Sequence, residues 1–101
     1  MSTNCVVRFS ENGRLLCAFY KHYDGHTFGG KLKEFYSNKK MVDGLGLDDT
    51  NQVNGMGDLA AQTIANFKTK PGDLYMTAPT DEGDYTYDVY VKNGKIVVMP
   101  L

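Results

Sequence analysis

Apolar and polar residues alternate with a period of two at both ends of the chain and recur at helical spacing between them. The pattern predicts paired strands flanking two helices. The first alternation is broken by Asn12-Gly13, and Asn-Gly between apolar runs signals a tight hairpin because both central residues take positive φ. Strands are expected at 4–10 and 14–23. A two-residue turn sets Glu11 against Arg14, Phe9 against Leu16, Val7 against Ala18 and Cys5 against Tyr20. One face then carries Cys5, Val7, Phe9, Leu16, Ala18, Tyr20 and His22. The other carries Val6, Arg8, Ser10, Leu15, Cys17, Phe19, Lys21 and Tyr23. The two cysteines point to opposite faces, so no intramolecular disulfide is expected.

The C-terminal end repeats the device at Asn93-Gly94, with Val91 opposite Ile96 and Val89 opposite Val98, and with Asp88, Tyr90, Val97 and Met99 on the second face. A further strand is expected over 73–78, stopped by Pro79. Phe28, Leu32, Phe35 and Tyr36 form one apolar stripe of a helix at 28–39, with Thr27 as its N-cap. A second helix runs from Leu59 to Phe67, capped by Asp58 and ended by Pro71-Gly72, with Ala60, Ile64 and Phe67 on its buried stripe. The order β-β-α-α-β-β-β predicts an α+β fold: a five-stranded antiparallel sheet with two helices on one face, built as a single domain over 1–101.

Charge narrows the function classes. The formal net charge of −1 provides neither a global positive field for bulk nucleic-acid binding nor the acidity of a DNA mimic. No run approaches the roughly 20 apolar residues of a membrane span, and residues 1–10 lack the basic start and apolar stretch of a signal peptide. A cytoplasmic protein without a membrane partner is expected, its thiols reduced. The sheet face away from the helices collects Val6, Leu15, Cys17, Phe19, Tyr23, Tyr90, Val97 and Met99, too apolar to be left to water. A second copy is the simplest cover, with Leu15, Phe19, Tyr90, Val97 and Met99 as the homodimer or partner surface; a strongly curved sheet burying both faces is the alternative.

Candidate chemistry gathers in Tyr20-Lys-His-Tyr-Asp-Gly25-His26. His22, Asp24 and His26 alternate, a spacing able to ligate zinc or pair an imidazole with a carboxylate. Asp24-Gly25 is turn chemistry, however, and breaks such regularity, so neither a metal nor a cofactor is expected. Tyr20, Lys21, His22, Tyr23, Asp24 and His26, with Tyr36 and Lys33 placed near them, form a candidate mouth that stacks a base and neutralises phosphates. Gly55 and Gly57 lead into the second helix, whose free amides can hold a phosphate or carboxylate. The lysine and hydroxyl of a P-loop are absent, and Asp58 would repel an anion, so plain capping competes. Asp43, Asp48 and Asp49 in the long 42–57 connection lack the spacing of a calcium loop. There is no nucleophile elbow, catalytic carboxylate pair or CxxC motif, and an enzyme is not expected.

Tyr20-Lys-His-Tyr-Asp-Gly25, then Leu32 and Phe35, then Gly57-Asp-Leu-Ala-Ala-Gln62 with Lys68 resembles a set of small uncharacterised proteins of bacteriophages and prophages. The resemblance spans residues 14–75, and His26 departs from it where an aromatic residue commonly follows the glycine. It implies a phage origin and the bacterial host's cytoplasm, and it carries over no catalytic residue. The resulting expectation is an accessory protein that antagonises a host defence or other process by stoichiometric capture of a host protein or a nucleotide signal. A small structural or regulatory homo-oligomer is the alternative, and a metal- or His-dependent hydrolase the weaker one.

Overall fold

The computed structural model describes residues 3–42 and 51–101. Both Asn-Gly pairs form the expected turns: Asn12 and Gly13 lie at φ 53° and 78°, Asn93 and Gly94 at 54° and 76°, the positive pair that matches strand twist. The first turn joins β1 (Cys5–Glu11) to β2 (Arg14–Lys21). Next come α1 (Gly25–Tyr36), β3 (Lys40–Met41), β4 (Gln52–Val53) and α2 (Gly55–Phe67). The chain closes with β5 (Leu74–Thr77), β6 (Tyr85–Lys92) and β7 (Lys95–Pro100). The main sheet has the order β5-β2-β1-β6-β7, and β3 pairs with β4 in a small parallel ribbon that the sequence pattern did not announce. The architecture is α+β, as expected. The residues 43–50, which include Asp43, Asp48 and Asp49, lie outside the described part. Among the described residues, no helix is long and apolar enough to cross a membrane.

Three expectations are corrected. First, the sheet is mixed, because β1 and β6 run parallel. β5 occupies the free edge of β2, which leaves β6 only the free edge of β1. A reciprocal clamp then sets its direction: the Asn4 amide donates to the Asp84 carboxylate at 3.3 Å, and the Asp84 amide donates to Asn4 Oδ1 at 2.7 Å. Gly83 fits here because a Cβ would stand 2.8 Å from Asn4 Oδ1 and 3.0 Å from Cys5 Cα. The 78–84 connection must therefore pass β2 and β1, a diagonal of roughly 17 Å at strand spacings of about 4.8 Å and rises of about 3.3 Å, within reach of an extended chain.

Second, the first hairpin slips by one residue. Glu11 faces Arg14 and Ser10 faces Leu15, but Phe9 faces Cys17, so Leu16 is the extra residue of a bulge. From there the pairing is Val7 with Phe19 and Cys5 with Lys21. Third, and in consequence, Phe19 belongs to the core and not to an outer partner surface: it is fully buried with Cys5, Val7 and Phe9 beneath the helices. Both cysteines now share that face, yet Cys17 stands four residues along β1 from Cys5, and both remain free thiols. Burial pushes the Cys5 thiol up to about 12.

Phe19 starts a chain of ring contacts joining the sheet to both helices. Its centroid lies 5.9 Å from Phe9 and 6.2 Å from Phe28. Phe28 meets Phe67 edge-on at 4.8 Å, and Phe67 meets Phe35 at 5.5 Å. Such pairs each add about 0.5–1.5 kcal/mol beyond burial. The α1 stripe of Phe28, Leu32, Phe35 and Tyr36 is the one expected. α1 nevertheless starts at Gly25, three residues early, with Asp24 at φ 59° before it. Its first turn is held by the residues before β1 and by β6: the Gly25 amide donates to the Thr3 carbonyl at 2.9 Å, and the Tyr87 hydroxyl donates to the Gly25 carbonyl at 2.6 Å.

The glycines of α1 give a direct test of this packing. A Cβ at Gly29 would stand 2.6 Å from the buried Tyr87 ring, whereas at Gly30 it meets nothing within 4 Å. Gly30→Ala is expected to raise stability by about 0.5–1 kcal/mol, and Gly29→Ala to lower it by roughly 1–3 kcal/mol, as read from urea denaturation midpoints.

Candidate functional site

Where β2 runs out beside β5, four rings cluster on and around the helix-free side of the sheet. Antiparallel pairing sets Tyr20 against Tyr75, and their rings stack at 4.9 Å and 28°. The Tyr20 hydroxyl lies 3.2 Å from His22 Nδ1, and His22 meets Tyr23 edge-on at 4.5 Å. Tyr75 and Tyr23 are 50% and 44% exposed, and neighbouring Met76 is 56% exposed. Burial and the adjacent Tyr75 push the Tyr20 phenol above its ordinary value, so it stays protonated.

The turn below these rings is built around Asp73. Its Oδ2 accepts from the Thr69 hydroxyl at 2.7 Å and the Thr69 and Lys70 amides at 2.9 and 3.2 Å. Lys68 Nζ stands 3.5 Å from Oδ1. The Thr69 hydroxyl and amide bonds hold this carboxyl far below the usual carboxylate range, with smaller help from the Lys70 amide and Lys68. The Asp73 carbonyl in turn accepts from the His22 amide at 2.9 Å, so the turn fixes the end of β2 on which the rings sit.

The other expected site residues are placed differently. Lys21 turns toward the helix side: its ammonium donates to the Tyr23 carbonyl at 2.7 Å and lies 5.1 Å over the Phe28 ring. The cation beside Tyr23 is instead Lys70, at 5.7 Å. Asp24 makes the turn and gives no side-chain cap. His26 begins the helix with its ring 6.3 Å from Tyr85, which ends the alternation with His22 and Asp24. Among the described residues, no group of three or more His, Cys, Asp or Glu could hold a metal ion. Tyr36 does not join the mouth either; it is buried between the helices, 2.8 Å from the Thr63 hydroxyl. Tyr75, Met76 and Asp73 were missed because nothing local in 73–77 tells which strand edge that segment will join.

The anion site expected at Gly55 and Gly57 is filled by the protein itself. Gly55 lies at φ 82°, and the Met56 amide donates to Glu11 Oε2 at 2.8 Å. Asp58, inside the first turn and not at its N-cap, accepts from the Asn54 amide at 2.8 Å. Two carboxylates thus satisfy the positive end of α2. Glu11 pairs with Arg14 and Tyr20 with Val6, so helix amides and tyrosines stand about 17 Å apart along β1, at about 3.3 Å per residue. A single nucleotide cannot use both.

On the remaining helix-free face, Val6 and Ala18 are buried, 1% and 0% exposed. The 78–84 connection crosses there, with Arg8 donating to the Asp81 carbonyl at 3.3 Å. Leu15 and Met99 stay 43% exposed, and Tyr90 and Val97 are half-buried. No family model matches the chain, and no curated protein or solved structure matches it.

Two substitutions check this construction. Glu11→Ala is expected to cost about 1–3 kcal/mol, since it strips a charged acceptor from a helix amide, and Glu11→Gln to recover most of that; thermal denaturation measures both. For Asp73 the sign follows from its depressed folded value: its contribution is present above the unfolded carboxyl value of about 4 and is lost as pH falls toward the folded one. Asp73→Asn is therefore expected to lower the urea midpoint at neutral pH, and to flatten its decline in acid.

Proposed function

We propose that this is a small phage-type accessory protein that works in the host cytoplasm by stoichiometric capture of a host protein, and not by catalysis. The observation that carries the reading is the ring cluster in which exposed Tyr23 and Tyr75 stand against half-buried Tyr20 and His22. Tyrosines held against one another lose little side-chain freedom on binding and offer a polar tip with an apolar body, the character of interface anchors. Capture of a nucleotide is the less favoured target, because Lys21 faces away from the rings and the helix amides are remote and occupied.

A homodimer is the second reading. It is favoured by the exposure of Leu15 and Met99 beside the half-buried Tyr90 and Val97 on the part of the sheet farther from the ring cluster.

A photo-crosslinking residue placed at Tyr75, in protein expressed in a bacterial host, tests the capture. One host protein is expected to be trapped from this position and none from Lys31 on the exposed side of α1. Tyr75→Arg should abolish equimolar co-elution while leaving the protein folded. Crosslinks from Tyr75 only to a second copy reject host capture at the rings, and equal trapping from both positions rejects the site; the dimer on the Leu15 and Met99 side is read from the solution mass, which Met99→Lys should return to that of a monomer.

A further inference from the structure

The two outer edges of the sheet are finished differently. In β5 the Asp73 carbonyl bonds the His22 amide, so by antiparallel alternation Asp73, Tyr75 and Thr77 turn their backbone groups toward β2, and Leu74, Met76 and Ala78 turn theirs outward. Three of these six outward groups are taken, at the two ends of the row. Lys68 Nζ donates to the Leu74 carbonyl at 2.6 Å. The Ala78 amide donates to Asp81 Oδ2 at 3.2 Å, and the Ala78 carbonyl accepts from the Asp81 amide at 2.9 Å.

In β7 the two-residue turn makes Lys92 and Lys95 a hydrogen-bonded pair, and the Leu101 amide bonding the Thr86 carbonyl at 2.9 Å continues the same phase. Lys95, Val97 and Met99 therefore bond inward to β6, while Ile96 and Val98 direct an N–H and a C=O each to the outside. Among the described residues, no hydrogen bond covers these four groups. Pro100 ends the row without an N–H, a placement proline tolerates at an outer edge.

This open edge does not face bulk water alone. It forms one wall of a groove of about 380 Å³, whose other wall comes from the end of α1 and the residues after it. Lys33, Tyr36 and Lys39 stand on that wall, opposite Lys95, Ile96 and Val98, and among the described residues no carboxylate lines the groove. Lys39 is engaged with Gln62 Oε1 at 3.1 Å and with the Phe35 ring. Lys33 complements the negative end of its own helix. That account does not extend to Lys95, which sits on another element directly opposite Lys92, where like charges are unfavourable. By strand alternation Lys95 projects to the helix-free side of the edge, while Lys33 stands on the helix side.

We infer that the groove between α1 and the outer edge of β7 is a docking site for an extended acidic segment of a partner protein, which adds to the sheet as a sixth strand. Its backbone takes the free groups of Ile96 and Val98. Apolar residues facing the helix layer rest on half-buried Ile96, above the buried Val98 and Tyr36, and acidic residues meet Lys33 on one side and Lys95 on the other. Backbone pairing supplies affinity and the lysines supply selectivity, the division of labour of strand addition. A second copy fits poorly, since edge-to-edge pairing across a two-fold axis would bring the lysine-bearing walls of two α1 helices face to face. The site is separate from the ring cluster, so either can fail without the other.

The test uses the full chain, labelled with nitrogen-15, and a short blocked peptide of alternating Glu and Val in which one terminal Val is replaced by Glu, so that an acid also falls on the helix side. Saturable binding is expected, with amide shifts and slowed hydrogen exchange at Ile96 and Val98. Lys33→Glu with Lys95→Glu should weaken binding by roughly tenfold or more while the protein stays folded by its spectrum. The same peptide N-methylated at every valine, in either register, should bind far more weakly, and a Lys-Val peptide not at all. The inference is overturned if the acidic peptide does not bind, if the Lys-Val or N-methylated peptide binds equally well, or if Ile96 and Val98 are already protected in the free protein by self-association.

Discussion

Burying both sides of β1 is the constraint from which the rest of this structure follows. Val6 and Val7 are adjacent, so they point to opposite faces, and both are almost wholly buried. Two separate covers are therefore needed. The helices supply one, through Phe28, Leu32, Met56 and Leu59 packed over Val7 and Phe9. The 78–84 connection supplies the other as it passes Arg8 on the way from β5 to β6. Because that connection must return to the start of β1, β6 enters parallel to it, and the Asn4–Asp84 clamp holds the entry. The expected open apolar face is thus neither left whole nor closed by curvature; the chain covers part of it with a strap of its own.

The bulge at Leu16 is the second decision, and it redistributes the residues from which a site could be made. With strict alternation Phe19 would have faced outward and Ala18 inward. One inserted residue reverses them, so that Phe19 becomes the hinge of the ring contacts from Phe9 to Phe67. The same reversal carries Lys21 over Phe28 and leaves Tyr20 and His22 on the helix-free side, where β5 brings Tyr75 against them. The mouth therefore keeps Tyr20 and Tyr23 but loses Tyr36 and its intended cation. Glu11, the last residue of β1, accepts from the Met56 amide in the first turn of α2, so the strand that organises the core also closes the anion site expected there.

What the protein offers a partner is accordingly local. A chain with a formal charge of −1 attracts nothing from a distance, and its exposed features are small and unlike one another: a stacked tyrosine cluster at one edge of the sheet, a lysine-lined groove at the other. Their backbone edges differ as well. Lys68 on Leu74 and Asp81 on Ala78 cap the two ends of the outward row of β5, a familiar guard against unwanted pairing, whereas among the described residues none caps the row of Ile96 and Val98 in β7. Side chains dominate recognition at the first edge, and main chain at the second.

Features set by the residues themselves were legible without the fold. The Asn12-Gly13 and Asn93-Gly94 turns follow from local backbone preference, the β6–β7 register from strict alternation across a two-residue turn, and the stripe from Phe28 to Tyr36 from helical periodicity. The limits of that reading have a physical origin too. Leu15 to Phe19 is apolar throughout, so alternation cannot say where the register slips; only packing against α1 and α2 makes Phe19, and not Ala18, the inward residue. Which free edge β5 and β6 choose, and in what direction, depends on contacts between residues some 80 apart, such as Asn4 with Asp84. Glu11 at the start of α2 and Tyr75 on Tyr20 are likewise meetings of distant segments. Turns, periods and the class of fold belong to the sequence alone, because they rest on neighbouring residues. The register of β1, the parallel pairing and the surfaces left to bind belong to the tertiary structure, because they are settled by competition among distant segments for the same edges and the same core.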